Sequence, residues 1–201
     1  MFNLSPQELK LFRSLNTPQK VQDFLDQMPI NKEKNGDTCR SPRKVLQENK
    51  AQCMEGAMLA AAILRVQGRP PLVLSLESTK DDFDHVIAIF KEHNHWGAIS
   101  KTNHAVLRYR DPIYRTVREL VMTYFDEYFD SKGKKNLRTY SKPINLSRFD
   151  KLNWMTSKED IWYIPEYLCD VPHTKILTQS MLRTLRKAQP FQVKTYESTE
   201  W

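Results

Sequence analysis

Of 201 residues only three are cysteine, and one of them, Cys53, opens the stretch CMEGAMLAAAILRVQG. An apolar, alanine-rich run of that length reads as a helix, stopped by Gly68 and barred from continuing by Pro70 and Pro71. A cysteine in the first turn sits among unpaired backbone N–H groups at the positive end of the helix dipole, and both stabilise a thiolate. Such a sulfur is either a nucleophile for a carbonyl or a small buried apolar residue, and its partners decide between the two.

A nucleophilic thiol needs a base, and His85 in FDHVIAIF is the candidate. It is the polar first residue of an otherwise apolar strand, where a side chain can reach a helix N-terminus at the end of a sheet. A core histidine bonded to a backbone carbonyl is the plain alternative. His93 and His95 fall in a hairpin turn and His104 lies past the next strand. Only His93 and His95 have metal-ligand spacing with a carboxylate nearby, and they sit on a flexible turn, so no metal and no other cofactor is expected.

The base in turn needs a group that fixes its tautomer. If HVIAIFKE and WGAISK form a hairpin with a three-residue turn at 93–95, Glu92 pairs with Trp96 and His85 comes to face Asn103, whose amide oxygen would accept the Nδ1 proton. A two- or four-residue turn shifts that register by one. Asp111 in YRDPIY is the competing third member, a carboxylate that would hold an imidazolium more strongly, although Asp-Pro also starts turns. Asn103 ranks first because the register argument reaches it. For the oxyanion, the Cys53 N–H is a natural donor, and Gln47, six residues earlier, is a side-chain candidate.

These residues need a scaffold. Ser5-Pro6, Thr17-Pro18 and Ser41-Pro42 pair a capping hydroxyl with a proline at the first helical position, which predicts three short helices in residues 1–50. The helix of Cys53 follows, then strands PLVLSLES, HVIAIFKE and WGAISK, a helix over 117–129, a strand at RTYSKPINL, a helix opened by a capping signal at Ser157, and a last helix TQSMLRTLRKA. That order predicts an α+β fold: a central Cys-bearing helix packed on an antiparallel sheet with flanking helices. A single domain over 1–190 is expected, with N-terminal helices in 1–50, the site-bearing core in about 40–130, a C-terminal strand and helices in 131–190, and a polar tail at 191–201.

Three cysteines without a CxxC pair fit neither a disulfide framework nor a four-ligand zinc site, which implies a reducing compartment. MFNLSPQELK lacks the apolar core of a signal peptide and no window has the length of a membrane span, so a cytoplasmic protein with no membrane partner is expected. The net charge of +7, concentrated at 131–138 and 182–189, makes nucleic acid or an acidic protein a partner to weigh, yet no spaced aromatics accompany it.

The order of CMEGAMLAAAILRVQGRPP, then DHVIAIF, then WGAIS resembles the transglutaminase-like, papain-related cysteine enzyme superfamily, and SKTNHAVLRYRDPIYRTVRELVMTYFDEYF resembles a group of bacterial transglutaminase-like proteins. The resemblance covers residues 40–130. It implies a triad of Cys53, His85 and an Asp or Asn, working on an amide or related acyl group of a protein, peptide or small amide, as hydrolase or acyl transferase. It also marks a departure: about four residues after the tryptophan, where the superfamily usually has aspartate, this chain has Ser100. The rival expectation is a non-catalytic module of the same fold that binds nucleic acid or an acidic protein through its basic surface.

Overall fold

In the computed structural model, which describes residues 2–199, each Ser/Thr-Pro pair starts a helix. Ser5, Thr17 and Ser41 accept the N–H of the third helical residue of α1 (Pro6–Ser14), α2 (Pro18–Asp26) and α3 (Pro42–Glu48), with proline where no donor is needed. Helix α4 (Cys53–Val66) is the centre of the fold: residues from Ala57 to Leu64 have no solvent exposure. Its alanines let α1, α2, α3 and the sheet all approach its axis closely.

The sheet is antiparallel throughout. Its strands are β1 (Leu72–Glu77), β2 (His85–Glu92), β3 (His95–Ile99), β4 (Arg110–Tyr114), β5 (Thr139–Ser141), β6 (Ile144–Asn145) and β7 (His173–Lys175), in the order β4-β3-β2-β1-β5-β7 with β6 also on β1. Alternation along β2 sends Val86, Ala88 and Phe90 to the core under α4, and Ile87 and Ile89 to a second core with Leu120, Val121 and Tyr124 of α5 (Val117–Phe125). The molecule is therefore a sheet with helices on both faces, a mixed helix and antiparallel-sheet, α+β arrangement. The remaining helices are α6 (Tyr163–Asp170), α7 (Gln179–Thr184) and α8 (Pro190–Glu197).

Several elements differ from the sequence reading, each for a local reason. The β2–β3 hairpin turns on two residues, His93 and Asn94, with φ of 46° and 64°; this left-handed pair matches the twist of the strands, and Glu92 consequently pairs with His95 instead of Trp96. Arg110–Tyr114, read as an Asp-Pro turn, is a strand, and Pro112 is tolerated because β4 is the sheet edge. Ser157 caps the N–H of Glu159 in a turn, and the helix starts later, at Tyr163. Residues 191–197 of the expected polar tail belong to α8, which starts at Pro190, and residues 200–201 of that tail lie outside the described residues. Among the described residues no helix is long and apolar enough to cross a membrane.

Candidate active site

Cys53 is the first residue of α4. Gln52 caps the helix, its Oε1 accepting the Met54 N–H at 2.6 Å, while Glu55 reaches back to the Gln52 N–H at 3.1 Å. Glu55 is wholly buried and also accepts from Thr38 Oγ1, the Arg40 N–H and Asn31 Nδ2 at 2.9–3.2 Å, so the segment 31–40 is fastened to the first turn of α4 by one carboxylate. This anchoring fixes where the sulfur sits.

The sulfur faces a cavity of about 190 Å³ that is also lined by His85, Lys101, Asn103 and His104. By strand parity His85 belongs to the face of Ile87 and Ile89, whereas Cys53 lies on the α4 side. Both line this cavity, which opens where ladder pairing between β2 and β3 ends at Ala88 and Ile99. No hydrogen bond joins Cys53 to His85 among the described residues; catalytic pairs are often loose without substrate and tighten in the complex.

The imidazole is held by Ser100. His85 Nε2 lies 2.7 Å from Ser100 Oγ, and that hydroxyl donates its one proton to the Leu107 carbonyl at 2.5 Å. The hydroxyl can then only accept from the ring, which assigns the proton to Nε2 and leaves Nδ1 as the acceptor. Among the described residues Nδ1 makes no hydrogen bond, and His85 lines the same cavity as Cys53.

Ser100 is itself clamped. Gln22 of α2 accepts the Ser100 N–H and donates to the Ser100 carbonyl, both at 2.9 Å, standing in for a neighbouring strand where β3 has lost its partner. The next residue, Lys101, is buried with its Nζ on the carbonyls of Leu25 and Met28 at the end of α2. Lys101 fits only because Gly56 of α4 has no side chain: a Cβ there would lie 2.3 Å from the Lys101 Cβ. On the other side, Leu107 takes φ of 61°, an uncommon conformation for a bulky residue, and its N–H is bound by Glu127 Oε2 at 2.8 Å, which aims its carbonyl at Ser100.

The other sequence candidates are placed as follows. Asn103 lines the cavity and makes no hydrogen bond among the described residues; with the two-residue turn, the position opposite His85 would be Thr102. Asp111 is exposed on the edge strand β4 and lies outside the cavity lining. Among the described residues neither hydrogen-bonds the His85 ring, and the ring nitrogen that is held is Nε2, by Ser100, where the expectation had Nδ1 held by Asn103. Gln47 lines a separate cavity with Glu8, Arg43 and Lys158 and is not among the residues lining the Cys53 cavity. Ser100 carried one sequence signal, its place four residues after Trp96; Gln22 carried none beyond its position beside the apolar stripe Val21–Leu25. Among the described residues no group of three His, Cys, Asp or Glu side chains is placed to hold a metal ion.

Cys53 and His85 are both shifted toward their neutral forms. Burial pushes the Cys53 thiol above its ordinary value, opposed by the Val86 N–H and by the N–H groups of Met54 and Cys53 itself. This reverses the expected lowering, because the desolvation of a buried sulfur outweighs three backbone donors and Ser100 supplies no charge to favour an imidazolium. Burial, with a lesser contribution from His104, depresses His85 to about 4. At the rim, Asp82 and Asp84 flank Phe83, whose side chain is 89% exposed while its carbonyl is held by the Tyr128 hydroxyl.

No protein-family model matches the chain, and a search of curated proteins finds no match. Among solved structures the chain is similar to LapG of Legionella pneumophila in its calcium-bound form, with a TM-score of 0.37 and 18% identity over 45% of this chain and 57% of that one. The chain thus spans somewhat over half the length of the structure it matches.

Proposed function

We propose that this chain is a transglutaminase-like cysteine enzyme, a hydrolase or acyl transferase of amide or related acyl groups, in which Cys53, His85 and Ser100 form the working triad. The observation that carries the reading is the shared cavity of Cys53 and His85, with the ring held through Nε2 and Nδ1 left without a hydrogen bond among the described residues. As the sulfur attacks an acyl carbonyl, its S–H bond breaks and the proton passes to His85 Nδ1. The imidazolium then gives that proton to the leaving amine, and water or a second amine releases the thioester. Because both groups are neutral at rest, proton transfer accompanies attack; no thiolate–imidazolium pair precedes it. Ser100 keeps Nε2 protonated and the ring in plane, and the Cys53 N–H is the natural donor to the oxyanion.

The test is acylation of Cys53 by a panel of activated acyl probes, read by peptide mass spectrometry. Labelling should fall at least tenfold in His85→Gln and in Ser100→Ala, with both variants folded by circular dichroism. The buried, protonated thiol favours a second reading, a module that keeps the fold and binds nucleic acid or an acidic protein through its basic surface. That reading takes over if no probe acylates Cys53, or if His85→Gln is labelled as fast as the unmodified chain.

A further inference from the structure

The loop that leaves β3 lines the cavity with Asn103 and His104, and its backbone is paired. His104 forms an antiparallel bridge with Thr199, and the Ala105 N–H donates to the Ser198 carbonyl at 3.1 Å. A short extended segment of this chain is therefore added, strand to strand, onto the wall of the proposed catalytic cavity. Backbone pairing of this kind reads no side chain, so the edge accepts any extended polypeptide that can reach it.

Among the described residues the segment is also fastened at Ala188. The Ala188 N–H donates to the Gly133 carbonyl at 2.8 Å, and a Cβ on Gly133, whose φ is 73°, would meet the Ala188 oxygen at 2.6 Å. Between that anchor and residues 198–199 runs α8, exposed along nearly its whole length, with Phe191 at 80% exposure. Among the described residues, what holds 198–199 on this edge is backbone pairing, and pairing of a short exposed segment opens at low free energy.

We propose that the backbone at 104–105 is the edge on which an extended polypeptide reaches Cys53, and that residues 198–199 hold this edge in cis until such a polypeptide displaces them. The proposal rests on the enzyme reading above and narrows it: the substrate is a polypeptide in extended conformation, with small amides excluded from efficient turnover because they have no backbone to pair. The exposed Phe83 and the carboxylates of Asp82 and Asp84 at the same rim favour a polypeptide with apolar and basic side chains beside the reacting carbonyl.

The chain ended at Glu197, which removes the Ser198 carbonyl that accepts the Ala105 N–H, tests this. Amide exchange at Ala105 should speed up about tenfold, and a synthetic peptide of residues 190–201, PFQVKTYESTEW, added in trans should restore protection. Cys53 in the variant should react several-fold faster with a peptidyl acyloxymethyl ketone, while its reaction with iodoacetamide, which needs no edge, should change less than about twofold. Unchanged exchange at Ala105, or a peptide that gives no protection at millimolar concentration, overturns the proposal, as does an unchanged rate with the peptidyl probe. The exchange measurements repeated in Cys53→Ser separate the two claims: protection that responds as expected upholds the edge even if labelling has removed the enzyme reading.

Discussion

The state of His85 makes a measurable demand on acid stability. Its ring is 7% exposed and its folded value lies at about 4, against an ordinary 6.5. The unfolded chain therefore binds a proton at this position between those limits and the folded chain does not. Since the unfolded state holds more protons, this group adds stability above pH 6.5 that disappears as the pH falls toward 4, at up to about 1.4 kcal/mol per pH unit and about 3 kcal/mol in all. Carboxylates titrate in the same range, including Asp84, which burial raises, so the measurement has to be a difference. Unfolding free energies from urea titrations at intervals from pH 4 to 7.5 would be taken for the unmodified chain and for His85→Gln. The substitution removes the titrating group, and its loss of the contact to Ser100 is an offset constant in pH. The unmodified chain should lose about 3 kcal/mol relative to the variant on going from pH 7.5 to 4. Parallel curves would mean that the imidazole titrates normally, that water reaches the ring freely, and that the neutral-pair mechanism is wrong.

The same electrostatics order the three thiols: Cys39, fully buried and pushed to about 12, should resist iodoacetamide, and Cys53 should react slowly near pH 7 and accelerate above the ordinary thiol range of about 8.5. Exposed Cys169 should lead at neutral pH, as peptide mass spectrometry would record, and fast neutral alkylation of Cys53 would contradict its raised value. Gln22→Ala should leave the Ser100 N–H and carbonyl unpaired at about 1–3 kcal/mol each in urea unfolding, and lower kcat on an accepted acyl probe more than it raises KM, because it acts through Ser100 and His85. Ser100→Asp places a carboxylate on His85 Nε2 and should raise the His85 value well above 4, seen as a shifted ring titration by NMR; an unmoved titration would place residue 100 away from the ring.

The parts of the site that are local in sequence were legible, and those set by distant packing were not. Ser5, Thr17 and Ser41 announced their helices because a cap and a proline act within four residues. Cys53 in the first turn of α4 and His85 at the start of β2 followed from one run of small apolar residues and one of β-branched ones. The identity of the residue on the imidazole did not follow. Counting around the hairpin depended on turn length, and His93-Asn94 adopt left-handed φ values that a list of residue types does not force. Even the correct register would not have sufficed, because the ladder ends at Ala88 and Ile99, before it reaches His85. Beyond that point position is set by Gln22, 78 residues away in sequence, and by the Leu107 carbonyl. The pKa of Cys53 escaped for a related reason: the helix terminus is visible in sequence, while the depth of burial that overrides it depends on how β2, the loop after β3 and residue 30 close around the sulfur.

A serine in place of a carboxylate is consistent with the rest of the site. An aspartate at residue 100 would have to be desolvated between β2, α2 and Leu107, at a cost of several kcal/mol, unless an imidazolium formed beside it. A hydroxyl is neutral, satisfies the ring N–H and the Leu107 carbonyl with one donor and one acceptor, and imposes no charge on its surroundings. The buried cation of Lys101 lies one residue away, already compensated by the carbonyls at the end of α2, so the backbone through 100–101 is anchored by contacts that do not depend on the state of His85. This arrangement separates two tasks that a carboxylate performs together. Gln22 and Ser100 hold the ring, and in the mechanism proposed above the charge that develops on it during attack is balanced by the substrate's own oxyanion. An imidazole held in this way is a weak base at rest and becomes an effective one only when a carbonyl draws the proton from the sulfur, which protects an unoccupied site from adventitious thiol chemistry and ties reactivity to substrate binding.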